Sequence, residues 1–542
     1  MLRRRWYFIV LGLMLVIGVF FLPNPLRAVQ HPAGESTPQE QDRPPWNPLP
    51  QGFPLDHADT PTAVLTDSAN RLPNVLPVWT GDAEVAGENS VEPAVAADPR
   101  DPLTFVAGAI TNYGIGHFTT TDGGQTWGGG NFTNECCDPT VAYNRQGHVF
   151  MAMLHYPLGD SCSRSFTLSH STDGGINWPA PQIILTPAPT DQVYDKPWLA
   201  IDTAPASPYF GRIYLTFNDA GNSACPAANG RYSNARVSWS SDEGQTWSSP
   251  VIVNDATHNE ASITNAVVTG NGTLYLSYLY HACATNCKGN FYFNILQHST
   301  DGGINWSAPI TITAQAITYP GVTVNGYNNL LGSGSTFFRY IDQAILGVSP
   351  SNPQEVYAVW TDGRWESKFD YQFARGTHAD IAFSRSSDGG ATWSSPLRIN
   401  DDPQGNGKDQ FFPWLAVGSN GTLHVAWSDR RDTSDGYGYR PYYSQSTDGG
   451  RSWSANQPIT TFESKPFDFM GDYNGLAVSS DNTLVLPIWT DGRRGARIFT
   501  NPGSFVKSAP TNTAGAAYSP TNSTTPGDMT TPTVAVTATP AP

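Results

Sequence analysis

The chain has 542 residues, of which 14% are charged, with 51 glycines, 44 prolines and a formal net charge of −16. Few charges alongside abundant Gly, Pro and aromatic residues exclude a helix-rich fold and favour many short strands joined by tight turns. The negative field, with no dense Lys/Arg stripe to offset it, argues against a nucleic-acid partner.

Arg3, Arg4 and Arg5 precede the apolar run Trp6–Leu22. This pattern predicts an export signal over residues 1–29, either cleaved or kept as an anchor. The remainder is then expected outside the cytoplasm, secreted or anchored, touching a membrane only through this N-terminal segment. Residues 30–73 read as a Pro-rich linker and residues 508–542 as a disordered Thr/Pro-rich tail. The folded domain is expected over 74–507.

Within it an octapeptide recurs six times: TTDGGQTW (120–127), STDGGINW (171–178), SSDEGQTW (240–247), STDGGINW (299–306), SSDGGATW (386–393) and STDGGRSW (446–453). Such a period marks a repeat architecture. The Asp accepts backbone N–H groups, Gly takes positive φ, and Trp covers the turn. An apolar strand and a second strand stand ahead of each third strand, turn and outer strand, giving four-stranded blades. Inner strands near 91, 138, 196, 263, 343, 412 and 473 predict an all-β propeller of seven blades, with six as the alternative. The last unit lacks an outer strand. The β-prone run Asn74–Trp79 is expected to supply it by pairing with residues 496–499, closing the ring from the N-terminus and removing an open edge.

The six cysteines, Cys136, Cys137, Cys162, Cys225, Cys283 and Cys287, lack the paired CxxC spacing of a zinc knuckle and read as disulfides. All fall in loops of one face. Cys283 is expected to pair with Cys287, and the other four to staple neighbouring blades.

The S-x-D-x-G-x-T-W repeat resembles the Asp-box, or BNR, repeat of the sialidase superfamily over residues 90–500. The resemblance implies a propeller with Asp boxes on one face and ligands on the other. The Arg-Ile-Pro motif of authentic sialidases is missing ahead of Thr120. Gly471–Ala477 (GDYNGLA) and Trp489–Arg493 (WTDGR) also resemble the end of bacterial sialidase-like BNR-repeat proteins.

Three second strands end alike, in Trp360-Thr-Asp362-Gly-Arg364, Trp427-Ser-Asp429-Arg-Arg431 and Trp489-Thr-Asp491-Gly-Arg493. Equivalent positions in a propeller share radius and height, so these Asp/Arg pairs form an arc. Either the guanidiniums bind an anionic sugar, or each Asp pins its own loop by pairing with Arg. Glu92, Asp138, Asp195, Lys196, Asp342, Asp472 and Tyr473 enter inner strands and should approach the axis. Paired carboxylates there suit acid/base work on a glycosidic bond, with Asp472 and Tyr473 the candidate catalytic residues; capping and hydration of the channel are the plain alternative. Asp429–Tyr443 joins acids to aromatics, fitting a sugar-contacting loop, with Ca²⁺ as the one cofactor that its aspartates would suit. No other cofactor and no metal ligands are expected.

The functional expectation is thus a sialidase-like propeller acting on or recognising anionic glycans or glycoconjugates. The rival is a non-catalytic adhesion or scaffold propeller presenting loops to cell-surface proteins.

Overall fold

A computed structural model describes residues 76–156, 164–187, 193–220, 234–258, 261–283, 290–313, 322–324, 327–331, 337–339, 343–365, 378–433, 435–467 and 469–505. The expected export segment, linker and tail lie outside these residues, as do Cys162, Cys225, Cys287 and Asp342.

The described chain is a seven-bladed β-propeller. Six blades run in sequence, each an antiparallel sheet of four strands. The first is Val91–Ala97, Phe105–Thr111, Gly114–Thr120 and Gly128–Phe132. Blade 2 opens with inner strand Cys137–Tyr143, blade 3 with Val193–Ile201, blade 4 with Ala261–Val268, blade 5 with Ile345–Val348 and blade 6 with Gln410–Val417. Blade 7 takes Gly475–Val478, Leu484–Asp491 and Arg497–Thr500 from the end of the chain and its outer strand, Ala83–Ala86, from the beginning.

Ring closure from the N-terminus therefore holds, but in a different register from that expected. Ala83–Ala86, and not Asn74–Trp79, pairs with Arg497–Thr500, while Val78–Trp79 pairs farther along, with Gly503–Ser504. The cause is burial. Val85 and Ala86 are buried, whereas Val78 is 58% exposed and Trp79 packs edge-on against Tyr443 of blade 6. Pro77 has no N–H to give a ladder, which further weakens the β-prone run as a closing strand.

Each Asp box is both turn and seam. In blade 1, Asp122 Oδ1 accepts N–H groups of Gln125 (2.9 Å) and Thr126 (3.0 Å), and Gly124 N–H donates to Thr120 Oγ1 (3.0 Å). Hydrogen bonds from the Thr246 side chain and backbone, then Ser240, hold Asp242 of blade 3 down at about 2. The last glycine of each box abuts the preceding blade: a Cβ on Gly175 would strike Val106, on Gly244 Leu168, on Gly390 Leu296, and on Gly450 Phe383. With positive φ at all four, glycine is required twice over.

The cysteine expectation needs correction. Cys136 and Cys137, adjacent in sequence, are bonded to each other, so neither sulfur is left to staple a neighbouring blade. The proposed Cys283–Cys287 pair lies outside the described side chains.

Candidate functional site

The inner strands enter the ring on the face opposite the Asp boxes, and those of blades 1, 2, 3, 4 and 6 enter through an irregularity. Register shifts fall between Val91 and Ala94, Cys137 and Thr140, Asp195 and Trp198, Ser262 and Thr264, and Phe411 and Trp414. At these bulges Glu92 (φ 55°), Asp138 (51°), Lys196 (52°), Ile263 (50°) and Phe412 (53°) occupy the left-handed region. Non-glycine residues held there cost about 1–3 kcal/mol each and concentrate at functional sites. Bulges re-aim side chains, here toward the axis.

The consequence is a compact charge cluster. Lys196 Nζ donates to Asp138 (2.5 Å), Glu92 (3.4 Å) and Asp472. An ammonium has three N–H donors, and three carboxylates meet them. All are withdrawn from water, with side-chain exposures of 13% for Lys196, 7% for Asp138, 2% for Glu92 and 1% for Asp472. Asp472 N–H also donates to Glu92 Oε1 at 3.1 Å, joining blade 7 to blade 1. Burial pushes the Glu92 carboxyl well above its ordinary range, against the attraction of Lys196 and with the repulsion of Asp138 and Asp472. Glu92 thus keeps a proton where an exposed carboxyl has lost it.

Tyr473 lies beside this cluster, its ring centroid 5.6 Å from Lys196 Nζ. Burial first, then Glu92, Asp138, Asp472 and Asp195, drive its phenol well upward, so it stays protonated. That disposition suits a hydrogen-bonding hydroxyl better than a nucleophile. Asp195 stands 3.6 Å from Arg164.

A cavity opens on the cluster, walled by Asp138, Lys196, Trp198, Trp414, Asp472 and Tyr473. Trp414 sits 5.3 Å from Trp198 and 6.1 Å from Tyr473, centroid to centroid. The free volume is about 20 Å³, room for a water or two. Sequence reasoning named the charged members but missed Trp198 and Trp414. The signal was present in the Pro-Trp pairs at 197–198 and 413–414: a proline inside an inner strand marks a bulge.

The arc residues lie apart from this cavity, at the ends of the second strands. Each tryptophan donates to its aspartate: Trp360 to Asp362 (2.9 Å), Trp427 to Asp429 (2.8 Å) and Trp489 to Asp491 (2.9 Å). The same carboxylates accept the backbone N–H and Nε of Arg364 (3.0 and 2.9 Å), Arg431 (2.8 and 2.9 Å) and Arg493 (2.8 and 2.9 Å). Arg431 further reaches Asp401 (2.5 Å) and lies over Tyr442; Arg493 reaches Asp82 (2.5 Å) and lies over Phe462 and Phe499. Side-chain exposures of 7%, 14% and 11% leave little of these arginines to solvent.

A BNR/Asp-box repeat model matches residues 297–308, the turn of blade 4. A sialidase of Bacteroides fragilis (strain YCH46) is 28% identical over 235 residues, which are 36% of this chain. The chain spans about two fifths (41%) of the length of that curated relative. Among solved structures, the intramolecular trans-sialidase from Ruminococcus gnavus is 13% identical, covering 67% of this chain and 94% of that one, with a TM-score of 0.41. A Penicillium chrysogenum α-L-arabinanase is 12% identical over 79% and 99% of the two chains (TM-score 0.43). An ulvan lyase is 13% identical over 78% and 96% (TM-score 0.46).

Proposed function

We propose that this Asp-box repeat propeller recognises neutral glycans at the axial cavity, on the face opposite its Asp boxes. The observation that carries the reading is the convergence of Asp138, Asp472 and Lys196 on a cavity walled by Trp198, Trp414 and Tyr473. Aromatic faces take the apolar faces of sugar rings, and carboxylates accept their hydroxyls. Given the free volume, a sugar would lie across the mouth and send one hydroxyl inward. The sialidase relative supports a glycan as the class of ligand.

A neutral sugar fits better than the anionic one suggested by the arginine arc. With Glu92 holding a proton, the cluster still sets two aspartates against one ammonium, and Arg364, Arg431 and Arg493 already answer the carboxylates of their own loops. A ligand carboxylate would meet a negative field. The arc serves instead to pin the second-strand loops that frame the face. An extracytoplasmic setting, secreted or anchored, is part of this proposal and rests on the Met1–Leu22 pattern.

The small free volume favours a second reading, a scaffold propeller whose axis is plugged by its own charges. Calorimetric titration against matched neutral and acidic oligosaccharides separates the two. Asp472→Asn removes a charged acceptor, which is worth about 1.5–3 kcal/mol, so binding should weaken roughly tenfold or more while the fold persists. Preference for acidic sugars would overturn the neutral-glycan reading, and no binding by either class would leave the scaffold.

A further inference from the structure

On the Asp-box face, at the seam between blades 2 and 3, a second group of side chains meets. His148 stands at the entry to Val149–His155 and His170 near the end of Ser165–Ser171, both in blade 2, while Glu243 comes from the Asp-box turn of blade 3. One ligand atom from each lies within 4.8 Å of the others. His148 Nδ1 is 3.1 Å from Glu243 Oε1. Donors set at zinc distances on a tetrahedron stand about 3.3–3.5 Å apart, so this spacing is near that of two neighbouring ligands.

The second histidine is prepared for the same task. Its ring lies 5.3 Å from that of His148 and stacks on Phe150 at 4.3 Å, which fixes its plane. His170 Nε2 is buried without a hydrogen-bond partner. Glu243, with 45% of its side chain exposed, leaves the site open to entry from solvent.

Glu243 is also the one departure in the repeated turn. The other five boxes place Gly123, Gly174, Gly302, Gly389 and Gly449 at this position, all at positive φ. Glu243 adopts the same left-handed conformation, φ 58°, which a side chain penalises. The turn would be easier to form with glycine, and what the glutamate adds is a carboxylate facing two imidazoles. Its Oε1 also accepts a long hydrogen bond from Asn144 Nδ2 (3.4 Å) across the same seam.

We propose that His148, His170 and Glu243 bind a divalent transition-metal ion of the zinc class, clipping blade 2 to blade 3 with the fourth position left to water. Two imidazoles and one carboxylate are a borderline donor set, suited to such an ion and unsuited to Ca²⁺ or Mg²⁺, which take oxygen ligands. The axial carboxylates are a different case, because Lys196 already stands among them as their cation.

The test is calorimetric titration of the full chain with Zn²⁺ alone near neutral pH, paired with melting temperatures, for wild type, Glu243→Gly and His170→Ala. The wild type should bind one equivalent and melt higher with Zn²⁺, and both variants should bind at least about tenfold more weakly and lose that rise. Glu243→Gly restores the residue of the other five boxes, so it should fold and melt no lower than wild type without metal, and it decides the matter if His170→Ala does not fold. Absence of Zn²⁺ binding by wild type, binding unchanged in Glu243→Gly, or an equal response to Ca²⁺ or Mg²⁺ would overturn the proposal.

Discussion

Replacing Lys196 with Met keeps most of the side-chain volume and removes the cation at the axis. Asp138 and Asp472 are then left buried without their ammonium, and Glu92 loses its third neighbouring charge. Breaking a buried charge pair by removing one partner costs about 3–5 kcal/mol. Because Glu92 already holds its proton readily, the cost belongs chiefly to the two aspartates. Protons can replace the missing cation, so the loss should be greatest near neutral pH and fall toward the ~1–2 kcal/mol of lost hydrogen bonds at about pH 4 to 5. Urea unfolding of wild type, Lys196→Met and the double variant Lys196→Met/Asp472→Asn at both pH values measures this. The double variant should be more stable than Lys196→Met at neutral pH, since it removes one uncompensated charge. A loss below about 1 kcal/mol, or one independent of pH, would refute the electrostatic account of the cluster.

Glu92→Gln should flatten one component of the stability profile: a carboxyl with a raised pKa adds stability that is complete below its unfolded value and fades as pH rises through the folded one, so wild type should gain relative to the variant as pH falls from neutral toward about 4.5. Gly450→Ala, whose Cβ meets Phe383 across the seam at positive φ, should destabilise by about 2–4 kcal/mol in chemical unfolding, against about 1 kcal/mol for Gly211→Ala, where positive φ occurs with open space. Asp429→Ala should cost about 2–4 kcal/mol by orphaning the Trp427 indole and taking from Arg431 the carboxylate of its own loop, with a similar loss for Asp362→Ala and Asp491→Ala; a much smaller loss at all three would show that the arc does not pin its loops.

What the sequence revealed follows from the range of the interactions involved. The Asp box is legible because its hydrogen bonds close within eight residues, from Thr120 to Trp127 for example, so composition and geometry coincide. The arc was equally visible, and its pairing alternative could be stated, because Asp429 and Arg431 stand two residues apart. The closing strand was misplaced because Ala83–Ala86 has modest β propensity and owes its position to burial against blades 1 and 7, which local pattern does not report. Radial symmetry brought Glu92, Asp138 and Asp472 toward the axis on paper. That a single lysine from blade 3 would join all three depends on bulges at Glu92, Asp138 and Lys196, which were signalled only by Pro93, Pro139 and Pro197 within inner strands.

Glycan recognition at the axial cavity can be tested by a crystal structure of the chain soaked with a neutral oligosaccharide at saturating concentration. The expected result is a sugar ring over Trp198, Trp414 and Tyr473 with a hydroxyl directed to Asp138 or Asp472. A sugar bound on another face, or a mouth that stays empty of sugar at saturation, would contradict it.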